Sequence, residues 1–295
     1  MTINVGIIGS TGYAGEFLIK ILHAHPDCRL NYLSSAHAAG RKVDEVLPHL
    51  KNVVDYTLQE ENVEAIVERC ECVFMAKKSA DSMKYAPVLL EKGLRVIDIG
   101  GEFRLRSGEE YRKWYGGVHE CPELLDTAVY GLCEVNRKAI RGCRLVANPG
   151  CYPTGAILAA LPFVNAMRDD IQSVNISASS GISGAGRTMV SSGRNLFVNC
   201  FNSHSAYKAG VHKHTPEIEQ VLNFPVTFVP QLASIDRGIL TLVYISLASG
   251  KVPDKDPVEL LREVYGSETF IRVYDEIEDV TTAGVRGTNF CDLSA

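Results

Sequence analysis

Apolar-rich runs of strand length alternate with helix-spaced apolar positions through the first half of the chain. Ile3–Ile8, Leu30–Leu33, Val73–Ala76 and Leu94–Ile99 have the composition of strands buried on both faces. Between them, Glu16–His23, Val63–Arg69 and Met83–Glu91 repeat apolar residues every three or four positions, which predicts helices. Strand–helix alternation feeds right-handed crossovers, so a parallel sheet with helices on both faces is expected, with Arg144–Ala147 as a late strand.

After Cys151 the pattern changes. A helix is predicted over Thr154–Val164 and a strand over Ser173–Ser177, followed by a glycine- and serine-rich loop. The β runs Val226–Val229 and Ile239–Leu247 come next, separated by the turn Asp236-Arg237-Gly238. Fewer helices and longer β runs predict a second, α+β domain on a mixed or antiparallel sheet. The expected division is 1–149 and 150–295, with Cys151 at the boundary, where ligand clefts tend to form.

The first strand runs into Gly9-Ser10-Thr11-Gly12-Tyr13-Ala14-Gly15, which also opens the first helix. Glycines there allow a sharp turn and close backbone approach, and the helix amides face an anion. A glycine turn between β1 and the first helix therefore predicts a Rossmann-type dinucleotide site. An NAD site carries an acid about 20 residues further on, to hold the ribose hydroxyls. Here that place reads Leu33-Ser34-Ser35-Ala36-His37, with Arg41 and Lys42 beyond and no acid before Asp44. Hydroxyls and nearby cations suit a 2′-phosphate, so NADP(H) is the expected cofactor; the bland alternative is that both cations are simply solvated.

Composition narrows the class without adding to it. The chain has 295 residues, 46% hydrophobic and 22% charged, with a net charge of −5, so a sizeable core is available. That charge gives no support to nucleic-acid or membrane-surface binding, and no apolar run has transmembrane length. The N-terminus reads as a strand and not as a leader. Nine scattered cysteines, an odd number without a C-x-x-C, argue against a disulfide framework and for a reducing, cytoplasmic setting.

One cysteine stands apart. Asn148-Pro149-Gly150-Cys151-Tyr152-Pro153-Thr154 places Cys151 between a strand and a helix, where the macrodipole favours a thiolate. A nucleophilic thiolate together with a nicotinamide cofactor implies attack on an activated carbonyl, a thioester, and its reduction to an aldehyde. Such chemistry calls for an acid/base group, and Gly210-Val211-His212-Lys213-His214-Thr215-Pro216-Glu217 supplies candidates. On an extended stretch both histidines would share one face. Thr215 is placed to cap the following helix, with Pro216 at its first position. Glu217 would then either compensate the dipole or orient an imidazole. A zinc site from both histidines, Glu217 and Cys151 is the weaker reading, because the spacing is unusual and the chemistry needs no metal. The loop Ser180–Arg187 offers amides, hydroxyls and a guanidinium to an anionic substrate, and Arg104 follows a strand end. Either arginine could instead serve as a structural ion-pair partner.

GSTGYAG (9–15), VLPHL (46–50), EFRL (102–105), YGLCEVNR (130–137), VANPGCYPT (146–154), SGISGAGR (180–187), HKHTPEIEQ (212–220), RGIL (237–240) and VRGTNFCD (285–292) span the whole chain. Together they resemble the N-acetyl-γ-glutamyl-phosphate reductases of the aspartate-semialdehyde-dehydrogenase superfamily. The resemblance implies NADPH-dependent reduction of an acyl phosphate in arginine biosynthesis by a homodimer or homotetramer. It implies Cys151 as the acylated nucleophile, His212 as acid/base and Glu217 as its support. Gly9, Ser10, Thr11, Gly12, Tyr13, Gly15, Ser34, Ser35, Ser183 and Gly184 would hold the cofactor. Arg104, Ser180, Gly181, Arg187 and His214 would meet the substrate. Three departures stand out. Ser179 replaces a lysine frequent in relatives, and Ala76-Lys77-Lys78-Ser79 replaces an A-L-P-H-G turn. Relatives also continue past the position of Ala295 with a strand and a helix that returns to the dinucleotide domain. Sister enzymes acting on aspartate or aminoadipate semialdehyde, and a non-catalytic NADP-binding module, are the competing readings.

Overall fold

The computed structural model describes residues 2–77, 80–187 and 197–295, with Phe197 by its backbone alone. Lys78 and Ser79, half of the departure noted at Ala76–Ser79, lie outside the described residues. The chain forms two compact units, Met1–Pro149 and Gly150–Ala295.

The first unit runs β1 (Ile3–Ile8), α1 (Tyr13–Ala24), β2 (Cys28–Ser34), α2 (Val63–Arg69), β3 (Cys72–Met75), α3 (Asp81–Glu91) and β4 (Arg95–Asp98). It closes with α4 (Gly108–Tyr115), β5 (Val129–Tyr130), α5 (Cys133–Gly142) and β6 (Leu145–Ala147). Six strands pair in the order β2-β1-β3-β4-β6-β5, and every pairing is parallel. Alternate side chains of β1 feed opposite cores. Val5 and Ile7 pack with Ile19, Leu22, Leu30 and Leu33, whereas Ile8 packs with Val73, Met75, Ala86, Leu89 and Val96. Burial on both faces is why these strands read as apolar runs.

The second unit contains α6 (Cys151–Met167), β7 (Ile171–Ser180), β8 (Ser205–Ala206), α7 (Thr215–Leu222), β9 (Val226–Leu232) and β10 (Ile239–Leu247). It ends with α8 (Pro257–Tyr265), β11 (Ile271–Val273) and β12 (Cys291–Leu293). Its main sheet has the order β10-β7-β9-β8. β7 is antiparallel to β10 and parallel to β9, so the sheet is mixed. β11 and β12 form a separate parallel pair.

α6 starts three residues before the predicted Thr154 and runs past Pro162 to Met167. A proline inside a helix removes the N–H that would bond the carbonyl four residues back. Here the Tyr265 hydroxyl donates to that Leu158 carbonyl at 2.9 Å, so the missing bond is replaced from α8. α3 meets the same problem at Pro87, where the Cys121 thiol approaches the Met83 carbonyl at 3.9 Å. Among the described residues no helix is long and apolar enough to cross a membrane.

Candidate functional site

The glycine turn lies where β1 adjoins β3, the point at which the strand order changes direction. Open parallel sheets bind ligands at that point. Gly9 has φ +87°, and a Cβ there would sit 2.5 Å from the Ala76 carbonyl oxygen. A Cβ on Gly15 would sit 2.3 Å from the Gly9 oxygen, so the turn closes only with glycine at both places. By contrast, a Cβ on Gly12 would meet nothing nearer than 3.7 Å, leaving its face open to a ligand. Gly12 caps α1, whose first residue is Tyr13. The Thr11 hydroxyl lies 3.0 Å from that of Ser35. Ser34 is fully buried, and its hydroxyl has no hydrogen-bond partner among the described residues. This cradle, with hydroxyls and no acid at the end of β2, fits a phosphorylated dinucleotide. Ser10 is turned inward, its hydroxyl donating to the Ile7 carbonyl at 3.0 Å. Arg41 faces Glu45 at 3.6 Å, and Lys42 pairs with Asp55. Each is thus matched to a carboxylate of its own segment.

The end of β4 gathers three charged side chains that burial would ordinarily exclude. The Arg104 guanidinium donates to the carbonyls of Asn148 (2.8 Å) and Ile99 (3.0 Å), joining the segments that follow β6 and β4. Asp98 accepts from the Ser82 hydroxyl at 2.6 Å and the Gly100 amide at 3.0 Å. Glu102 accepts the Ala80 amide at 2.8 Å. Both carboxylates are wholly buried, and each leaves one oxygen without a hydrogen bond among the described residues. Burial, reinforced by the neighbouring Glu102, pushes the Asp98 carboxyl up to about 7.

In the second unit Cys151 is the first residue of α6, with Gly150 as its cap, and it is exposed. None of the nine cysteines is in a disulfide. Burial pushes the Cys70 and Cys121 thiols up to about 12 and Cys72 up to about 11, so these stay protonated and inert. The turn into α6 is pinned from 67 residues away, where the Glu217 carboxylate accepts the Gly150 amide at 2.6 Å. Glu217 is fully buried in the first turn of α7. The carboxylate thus holds the backbone that precedes the thiol. Removing a buried acceptor orphans its donor at a cost of about 1–3 kcal/mol. Glu217→Ala is therefore expected to lower the melting temperature by several degrees, whereas Glu217→Gln, which still presents an oxygen, recovers most of the loss. Equal melting of the two variants would remove the Gly150 contact from the account.

The histidine segment is a turn and not an extended stretch, because Gly210 adopts φ +73° and the Thr215 amide bonds back to the His212 carbonyl at 2.9 Å. That turn still brings the imidazoles together, with ring centroids 4.7 Å apart. The His214 amide donates to His212 Nδ1 at 3.1 Å. His214 itself caps α7, with Thr215 at the first helical position. Thr215 therefore does not cap: it is already inside the helix, and its buried hydroxyl has no partner among the described residues. Around His212 stand Tyr152 (5.7 Å), Tyr207 (5.7 Å) and Phe228 (5.6 Å), all edge-on. Burial, then Lys208 and Lys213, lower the His212 pKa to about 4. Tyr152 and Tyr207 went unnoticed in the sequence. Their hydroxyls lie 3.0 Å apart, and that of Tyr152 also donates to the Gln231 carbonyl at 3.0 Å. Burial, then the Tyr207 hydroxyl, raise the Tyr152 pKa. The one signal for the pair was Tyr152's place beside Cys151.

The loop after β7 uses its amides differently from the expectation. Gly181, Ile182 and Ser183 donate to the carbonyls of Gly238 (2.9 Å), Ile235 (3.0 Å) and Asp236 (3.1 Å). The amides of Gly184 and Gly186 bond within the loop, to Gly181 and Ser183. A Cβ on Gly181 would sit 2.7 Å from the Arg237 nitrogen, so glycine there permits close backbone packing. Ser180 is buried, with its hydroxyl on the Gly181 carbonyl at 3.0 Å; Arg187 is exposed. Ser179, at the place of the relatives' lysine, contacts His204 Nε2 and Gln231 Oε1, both at 3.0 Å. Among the described residues no group of three or more His, Cys, Asp or Glu could hold a metal ion.

A nucleotide cradle on a parallel sheet in the first unit, with an exposed thiol at a helix start and a pair of imidazoles in the second, defines an NAD(P)-dependent oxidoreductase of the semialdehyde dehydrogenase type. Residues 4–143 match the family model "Semialdehyde dehydrogenase, NAD binding domain", and residues 151–295 match "Semialdehyde dehydrogenase, dimerisation domain". The N-acetyl-gamma-glutamyl-phosphate reductase of Desulforamulus reducens is 41% identical over 99% of this chain and 85% of its own length. That of Symbiobacterium thermophilum has the same identity and coverage. The chain belongs to the N-acetyl-gamma-glutamyl-phosphate reductase family. Solved structures with the same fold include aspartate semialdehyde dehydrogenase II of Vibrio cholerae, with a TM-score of 0.69 and 18% identity, covering 97% of this chain and 84% of that one. The Candida albicans aspartate semialdehyde dehydrogenase with NADP gives a TM-score of 0.66 at 16% identity, covering 97% and 86%.

Proposed function

We propose that this chain reduces N-acetyl-L-glutamyl 5-phosphate to N-acetyl-L-glutamate 5-semialdehyde with NADPH, releasing phosphate, through a thioester on Cys151. The observation that carries the reading is the exposed Cys151 at the start of α6, its turn fixed by Glu217, in a chain 41% identical to reductases of that name. NADPH, when bound, supplies a hydride; Gly9, Gly12 and Gly15 would admit its pyrophosphate, and Thr11, Ser34 and Ser35 its ribose phosphate. Cys151 attacks the acyl carbon where N-terminal amides favour negative charge on sulfur. His212 serves the acyl oxygen, with Tyr152 and Tyr207 walling the ring from water. His214, Arg104, Ser180, Gly181 and Arg187 are assigned to the substrate, and Ser183 and Gly184 to the nicotinamide. A homodimer or homotetramer is supported by the dimerisation-domain match, and a cytoplasmic setting by nine cysteines without a disulfide.

The test is NADP⁺ reduction by N-acetylglutamate semialdehyde, with and without phosphate or arsenate. Turnover is expected only when the semialdehyde and one of those anions are both present. Turnover of aspartate semialdehyde in its place would reassign the substrate. NADP binding without any turnover would leave only a binding module.

A further inference from the structure

A largely buried ion pair of the first unit lies over the cofactor cradle. Lys77 Nζ sits 2.8 Å and 3.0 Å from the two Glu61 oxygens, and the Tyr85 hydroxyl donates to Glu61 Oε2 at 2.8 Å. Topology fixes where this pair lies. The Gln59 amide donates to the Leu33 carbonyl and its own carbonyl accepts the Ser35 amide, so Gln59 runs beside the end of β2 and Glu61 lies just past it. Lys77 follows β3, on the far side of β1. A direct contact between the two therefore spans the carboxyl ends of β1 and β2, where such sheets bind dinucleotides. The lysine stem borders the glycine turn, since a Cβ on Gly9 would meet its Cδ at 3.5 Å.

We propose that Lys77 is the cation that receives the 2′-phosphate of NADP(H), with Glu61 and Tyr85 holding its ammonium over the end of β2. The inference rests on NADPH as the cofactor and is independent of the acyl substrate. A 2′-phosphate calls for positive charge beside its hydroxyl donors. Arg41 and Lys42 are each more than half exposed and matched to Glu45 and Asp55, and solvent screens charges of that kind. Arg69 is also exposed, with its guanidinium on Gln59 Oε1 at 3.1 Å. Lys77 is 15% exposed, so its charge is felt more strongly. An ammonium has three N–H groups. Two meet Glu61, and Asp81 Oδ2 stands at 3.7 Å, beyond hydrogen-bond reach. The third is left for a phosphate oxygen, so Glu61 need not be displaced. Without the lysine, Glu61 and Asp81 would repel the phosphate. The buried Ser34 hydroxyl and the Thr11–Ser35 pair stand at the same end of β2 and supply neutral donors. NAD(H) has no group to meet this cation, so the lysine sets the choice between the two dinucleotides.

Binding is read without any acyl substrate, by titrating the full chain with NADPH, NADH, adenosine 2′,5′-bisphosphate and adenosine 5′-monophosphate. Lys77→Met keeps a stem along Gly9 and removes the charge. It is expected to weaken NADPH and the bisphosphate by about 10–100-fold, the worth of a hydrogen bond between charged groups. NADH and the monophosphate should stay within about twofold. Glu61→Gln keeps an oxygen for Tyr85 and leaves Lys77 its charge, so NADPH should bind at least as tightly as to the unsubstituted chain. A folded Met variant that loses phosphorylated and unphosphorylated ligands alike would make the pair a structural clasp and overturn the proposal. So would a Glu61→Gln variant that loses NADPH by about tenfold or more, or an unsubstituted chain that binds the bisphosphate no tighter than the monophosphate. A chain that turns over no semialdehyde, yet discriminates these ligands through Lys77, would end the reductase reading and leave this one supported.

Discussion

Cys151→Ser is expected to lower phosphate-dependent oxidation of the semialdehyde by at least about 10⁴-fold, in line with removal of a covalent nucleophile. NADP binding should stay within about twofold of the unsubstituted chain. The reason lies in the division of parts. Cys151 begins α6, in Gly150–Ala295, whereas the glycine turn lies in Met1–Pro149. Serine preserves the shape of the first helical turn, so the Gly150 amide keeps Glu217. What changes is acidity: a hydroxyl at a helix start remains protonated where a thiol ionises. Fluorescence titration with NADPH and burst-phase acylation separate the two effects. A Ser variant that still forms a burst, or that loses NADPH affinity by an order of magnitude, would count against this assignment.

Asp98→Asn is expected to raise the melting temperature at pH 8 by roughly 5 °C and to leave it nearly unchanged near pH 4. The folded Asp98 carboxyl is pushed up to about 7 by burial and by Glu102. Its contribution to stability is then fully present below the unfolded value near 3.8 and is lost as pH rises through about 7. A shift of that size corresponds to a loss on the order of 4 kcal/mol by pH 8. Asparagine keeps an oxygen for Ser82 and Gly100 and offers an N–H toward the unsatisfied Glu102 oxygen. Arg104, Tyr111, Glu120 and Cys121 are among the charged or titratable groups around the two carboxyls. Calorimetry of both proteins from pH 4 to pH 8.5 is the check. A gap that does not widen with pH would show that Asp98 is ionised in the fold throughout.

Much of the first unit was legible because its strands are buried on both faces, so β1 and β3 read directly as apolar runs. α5 was not, since none of its residues is buried and its apolar spacing therefore carries no signal. The start of α6 was placed late for a different reason. Cys-Tyr-Pro-Thr carries no side-chain cap, and the group that fixes the turn lies at Glu217, far along the chain. The His212–His214 pairing was legible, but its geometry came from a left-handed glycine and not from an extended strand. The loop at 180–187 was read as an array of donors because its own residues suggest one. Three of those amides are taken by Ile235, Asp236 and Gly238, which a local reading cannot weigh. Asp98 and Glu102 were missed because two carboxylates within five residues ordinarily mark a solvated surface.

The 2.6 Å contact between Glu217 and the Gly150 amide has a consequence for how this scaffold tolerates variation. It ties the mainchain preceding the sulfur to the helix directly after the imidazole turn. Their spacing is thereby gauged by backbone, with few rotatable bonds in between. Replacements along the surrounding wall can then retune which acyl chain is accepted, while the registration of the reacting groups is inherited intact.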